Sequence, residues 1–114
     1  MPREANIVAA IVRVAESLGW KPIKIHGGPY QLAGLPDLLC LQRGHAVWLE
    51  VKQPGKKPTE IQTRRMAELE DKGGTPCHVV TSKEEAYACL RTHAEGFGGA
   101  ADDPPVDRRR RRPV

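Results

Sequence analysis

Two apolar runs, Asp37 to Gln42 and His45 to Val51, are separated by only two residues, Arg43-Gly44. So short a link favours an antiparallel hairpin, since parallel neighbours need a crossover of a dozen residues or more. With Arg43-Gly44 as the loop, Gln42 faces His45, Leu41 faces Ala46, Leu39 faces Trp48, and Asp37 faces Glu50. Directly opposed side chains lie about 5 Å apart. Two carboxylates at that spacing repel, so a stable sheet calls for a cation between them. Glu50 and Lys52 are two apart on a strand and therefore share a face. One side of the hairpin thus gathers Asp37, Glu50 and Lys52, which suits a divalent metal with an amine beside it. Arg-Gly is not among the favoured two-residue loops. A three-residue loop with Gly44 in a bulge slips the pairing by one and sets Asp37 on a diagonal.

Elements can be placed around the hairpin. Ile7, Ile11, Val14 and Leu18 recur at helical spacing, which predicts a helix from Arg3 to Leu18 with Gly19 as its C-cap. Trp20 to Ile25 reads as a short edge strand, because Pro22 is poorly tolerated in a central one. His26 to Leu35 holds Gly27, Gly28, Pro29 and Gly34 and reads as a loop. Gln53 to Pro58 is a basic loop. Thr59 and Gln62 form the pattern of a capping box, opening a helix that runs to about Lys72. Cys77 to Thr81 is a strand, and Ser82 with Glu85 repeats the capping pattern before a last helix to about His93. The connection from Val51 to Cys77 is long enough for a right-handed parallel βαβ unit. The expected fold is α/β, with a mixed sheet of about four strands flanked by helices.

The chain has 114 residues, enough for one domain with a modest core. Residues 1–97 are expected to form that domain. The stretch 98–114 is rich in Gly, Pro, Asp and Arg and is expected to be disordered. The formal net charge is +4. Arg108 to Arg112 outnumber Asp102, Asp103 and Asp107, so the basic charge is partly concentrated in that tail, which fits a polyanionic partner such as nucleic acid. Cys40, Cys77 and Cys89 show no paired framework and suggest a reducing compartment. His26, His45, His78 and His93 show no metal spacing and receive no role. The N-terminus lacks the pattern of a secretory signal and no apolar run could span a membrane, so a cytoplasmic location is expected.

Gly34-Leu35-Pro36-Asp37-Leu38, Glu50-Val51-Lys52 and Gln62 on the following helix resemble the VRR-NUC (virus-type replication–repair nuclease) domain of the PD-(D/E)xK superfamily. The likeness covers roughly Glu4 to Leu90. It implies a restriction-endonuclease-like αβββαβ core and a Mg2+- or Mn2+-dependent DNA endonuclease. It further implies the small stand-alone phage or bacterial type, a homodimer acting on branched DNA such as four-way (Holliday) junctions.

On that reading Asp37 and Glu50 hold the metal, with the Val51 carbonyl as a third oxygen. A hard cation that keeps several waters needs only one or two carboxylates. Lys52 orients or deprotonates the attacking water, or steadies developing negative charge. Gln62 holds Lys52, the water or a phosphate. Glu4 is a candidate extra ligand, with Glu16 the competing acid on the same helix. Lys56, Lys57, Tyr30 and Gln31 are candidate DNA contacts. Each has an ordinary counterpart: strand-end charges for the acids and Lys52, a capping partner for Gln62, a helix-start acid for Glu4, solvated loop residues for the rest. A non-catalytic basic nucleic-acid-binding module and a metal-binding regulatory domain are the competing functions. Only the nuclease needs Asp37, Glu50 and Lys52 together.

Overall fold

The hairpin takes the two-residue register, with Gln42 opposite His45, Leu39 opposite Trp48 and Leu38 opposite Leu49. Arg43 (φ 49°) and Gly44 (φ 83°) both have positive φ. That is the backbone of a type I′ turn, whose twist matches the flanking strands. Arg43 therefore holds a left-handed conformation that costs a non-glycine residue roughly 1–2 kcal/mol. The pairing runs without a bulge.

The computed structural model describes residues 3–96. The element order is α1(Glu4–Ser17), β1(Lys21–Lys24), β2(Leu38–Gln42), β3(His45–Val51), α2(Glu60–Asp71), β4(Cys77–Val80), α3(Lys83–Glu95). The expected tail at 98–114 lies outside the described residues. The four strands form one sheet in the order β1-β2-β3-β4. β1 and β2 pair antiparallel, as do β2 and β3. β3 and β4 are parallel, joined through α2. The sheet is thus mixed, and Pro22 sits on its edge strand opposite Cys40. Element ends shift slightly from expectation: Trp20 and Ile25 fall outside β1, and Asp37 sits one residue before β2.

Side chains alternate across a strand, and burial follows. Leu38, Cys40, Val47, Leu49, Val51 and Val80 are buried on one face. They form the core with Ile7, Ile11 and Ala15 of α1, Ala86 and Leu90 of α3, and Trp20. Shortening a fully buried residue such as Ile11 to alanine costs about 2–5 kcal/mol. The other face carries Leu39, Trp48, Glu50 and Val79 by the same alternation. α2 reaches β4, where the Cys77 thiol lies 3.6 Å from the Met66 carbonyl oxygen. The Thr59 capping box is complete on both sides. At α3 the pattern differs: Ser82 accepts the Glu85 N–H, but the Glu85 carboxylate reaches one residue further back, to Thr81.

Candidate active site

The turn before β2 is seated by α2. Gly34 has φ +81°, and a Cβ there would stand 2.8 Å from the Ile61 carbonyl oxygen. Only glycine meets both demands, left-handed backbone and close approach. Arg65 Nε donates to the Ala33 carbonyl at 2.9 Å, while its Nη1 pairs with Glu68. Pro36 is fully buried. The chain therefore enters β2 with Asp37 held from both sides. The Asp37 carbonyl accepts the Ile25 N–H at 2.9 Å, and Asp37 Oδ2 accepts the Val51 N–H at 2.7 Å.

Glu50 is 1% exposed, the one buried charged residue among those described. Lys52 Nζ stands 3.2 Å from Glu50 Oε2 and is itself mostly covered. Among the described residues, neither Glu50 oxygen has a well-directed hydrogen bond. Burial above all, then the nearby Asp37 charge, pushes the Glu50 carboxyl up to about 7, with Lys52 acting in the opposite direction. A buried acid in this state is held in a costly condition that a bound cation would relieve.

The Lys52 N–H donates to Val80 and that of Trp48 to Pro76, so these residues bond towards β4. Val51 alternates with them and bonds the other way, towards Asp37. In an extended strand a residue's N–H and C=O leave by the same edge, so the Val51 carbonyl also points to the Asp37 side. Asp37 and Lys52 both act on Glu50, and the Val51 backbone bonds to Asp37.

The other candidates show contacts or exposure of their own. Gln62 Oε1 accepts the Thr59 N–H at 2.9 Å, so its amide serves the α2 cap. Glu4 is half-buried in the first turn of α1, and the charges acting on Glu50 come from Asp37 and Lys52 rather than Glu4. Tyr30 is fully exposed. Gln31, Lys56 and Lys57 are exposed in the loops on either side of the hairpin. Lys56 donates its N–H to Gln53 across a turn containing Gly55 at φ 84°. Arg65 was not singled out by its sequence; its role appears only once α2 docks on the Ala33-Gly34 turn.

No family model and no curated protein matches this sequence. Among solved structures, one described as a "VRR_NUC domain" matches with a TM-score of 0.65 and 29% identity, over 77% of this chain and 94% of its own. This likeness supports a VRR-NUC domain in the chain. The four-stranded mixed sheet with three helices is consistent with the restriction-endonuclease-like core expected of it. The loop, hairpin end and helix cap described above are the stretches whose sequence resembles the VRR-NUC domain. No helix among the described residues is long and apolar enough to cross a membrane.

Proposed function

We propose that this chain is a metal-dependent endodeoxyribonuclease whose centre is Asp37, Glu50, the Val51 carbonyl and Lys52. The likeness to a VRR-NUC domain supports a nuclease-type function and a DNA substrate. The observation that carries the reading is the buried Glu50 carboxylate, beside Asp37 and 3.2 Å from the Lys52 amine. The proposed ligand atoms are all oxygens, which fits a hard ion such as Mg2+ or Mn2+. Such an ion supplies charge neutralisation at the scissile phosphate and a more acidic bound water.

The residues of the chain do the rest. Asp37 and Glu50 hold the cation. Lys52 orients or deprotonates the attacking water, or steadies the charge that builds on phosphate oxygens. Gln62 contributes by releasing its cap contact towards Lys52 or a phosphate, and Glu4 is the reserve acid from α1. Lys56 and Lys57 grip flanking phosphates, with Tyr30 and Gln31 touching DNA from the glycine loop. Arg108 to Arg112 add salt-sensitive, sequence-independent attraction. The preferred substrate is branched DNA such as a four-way junction, cut by a homodimer that presents two centres to two strands.

A cleavage panel tests this. Single-strand, duplex, flap and four-way junction DNA are compared in Mg2+ or Mn2+, with Lys52→Ala as the control. The expected result is metal-dependent cutting, greatest on the junction and absent from the variant. Undiminished cutting by purified Lys52→Ala and Asp37→Ala proteins would remove the enzyme reading. Equal cutting of linear duplex and junction by a protein that sediments as a monomer would remove the branched-DNA part alone.

A further inference from the structure

Cys89 and His93 are four apart on α3, so they project from the same side of the helix. His78 on β4 aligns with Leu49 on β3. Leu49 belongs to the core-facing side of the sheet, where α3 packs. Strand alternation therefore places His78 with α3, on the sheet face opposite Glu50. The ligand atoms of His78, Cys89 and His93 all lie within 4.8 Å of one another. The two histidine Nε2 atoms are 2.7 Å apart, and the rings meet edge to face at 63°. All three residues are half-buried.

We propose that His78, Cys89 and His93 form a binding site for a borderline-soft transition-metal ion, zinc(II) foremost, on the reverse of the sheet from Asp37 and Glu50. Two imidazoles and a thiolate are a zinc donor set, whereas magnesium takes oxygen ligands. The site is independent of the nuclease reading.

The imidazole pair is spaced near what zinc requires. Zn–N bonds of about 2.0–2.1 Å and a Zn–S bond of about 2.3 Å, set tetrahedrally, separate nitrogens by roughly 3.3 Å and nitrogen from sulfur by roughly 3.6 Å. The two imidazoles, now hydrogen-bonded to each other at 2.7 Å, need to part by roughly 0.6 Å, and the Cys89 sulfur, within 4.8 Å of them, needs to close in. One Nε2 donates and the other accepts, so both nitrogens face the space between the two rings. Burial holds the Cys89 thiol up at about 11. Burial, and then His78, holds His93 below its usual range, in the neutral form that metals bind. On zinc entry the thiol releases one proton to solvent, and the donating imidazole shifts its proton from Nε2 to Nδ1. His93 also borders an open cleft of about 300 Å³ between the hairpin turn and the Gly73–Pro76 loop. This cleft offers a route in and room for a water as fourth ligand.

Two measurements on the full chain, stripped of metal by a chelator, test the site. Cobalt(II) is titrated first. One equivalent should produce a thiolate-to-cobalt charge-transfer band that one equivalent of zinc abolishes, that Mg2+ leaves unchanged and that Asp37→Asn retains. Cys89→Ser should lose the band. It should also weaken zinc by more than the roughly 10–100-fold that losing an outer-shell partner costs. Second, zinc should slow alkylation of Cys89 in the unmutated protein several-fold and leave Cys77 unaffected, read by mass spectrometry. The second measurement stands even if Cys89→Ser does not fold. Absence of a thiolate band in the parent protein, equal zinc affinity in a folded Cys89→Ser variant, or no protection of Cys89 would each overturn the proposal. In that case the cluster is a histidine–histidine hydrogen bond beside a core thiol.

Discussion

The Asp37 carboxylate accepts the backbone N–H of Val51 at 2.7 Å. Asp37 is one residue before, and Val51 two residues after, the last backbone pair of the hairpin, Leu38 with Leu49. A side-chain oxygen thus continues the ladder where the carbonyls of β2 stop, and the same side chain faces Glu50.

This double duty separates two substitutions at Asp37. Asparagine keeps an oxygen for the Val51 N–H, so Asp37→Asn should unfold within about 1 kcal/mol of the parent. Alanine leaves that N–H without its partner and should cost about 1–3 kcal/mol. Both should lose Mn2+ binding and cleavage. Urea denaturation and calorimetric Mn2+ titration check the pair. Full Mn2+ affinity in Asp37→Asn would refute its role as a charged ligand.

Lys52→Ala should reduce turnover of bound DNA by at least ~10², the scale of a lost proton-transfer group. DNA affinity should change little, since one amine among many cations is removed. Single-turnover cleavage at saturating protein, together with a binding isotherm in Ca2+, distinguishes the two. A variant that binds weakly yet cuts normally once bound would reassign Lys52 to substrate grip.

The Glu50 carboxyl is raised from its ordinary 4.5 to about 7 in the folded, metal-free chain. Folding therefore favours the protonated acid. The associated stability is complete below pH 4.5 and is lost as pH rises through about 7, by an amount on the order of a few kcal/mol. Thermal melts in EDTA between pH 5 and 8 should show this fall, and Glu50→Gln should flatten it. Mn2+ requires the ionised acid, so its affinity should change the opposite way, weakening as pH drops through about 7. A Glu50→Gln melt with the same pH slope as the parent would assign the slope to other groups.

Gly34→Ala should lower stability by about 1–2 kcal/mol from its left-handed backbone alone. The Ile61 carbonyl, 2.8 Å from the new Cβ, adds to this. Because that turn leads directly into Asp37, turnover should fall together with melting temperature. Unchanged activity at a lowered melting temperature would mean that Asp37 is positioned by β1 and β3 rather than by α2.

Much of this site could be read from the chain because its logic is local. A two-residue loop dictates opposite partners, and Asp37 falls opposite Glu50 by counting alone. The Thr59–Gln62 box could be read for the same reason. The feature that makes Glu50 unusual, its near-complete burial, was not visible, because it depends on how α2 and the neighbouring strands enclose that face. Arg65 carries no local signal, because its partner, the Ala33 carbonyl, is brought to it only by folding. The histidines looked roleless in sequence. Cys89 and His93 do share a helical face, but the third residue, His78, joins them only through the packing of α3 on β4.

Arg43-Gly44 lies at one end of the hairpin and Asp37 with Glu50 at the other. On β3, Glu50 is flanked by Leu49 and Val51, both fully buried on the opposite face. A slip of a single residue would aim the acid into hydrocarbon and a leucine at the Asp37 side. The hinge of the hairpin is therefore an editing point for chemistry far from it. Lengthening that loop by one residue is expected to abolish the proposed cleavage unless the insertion is looped out, and the same edit would be penalised by the core before any substrate is met.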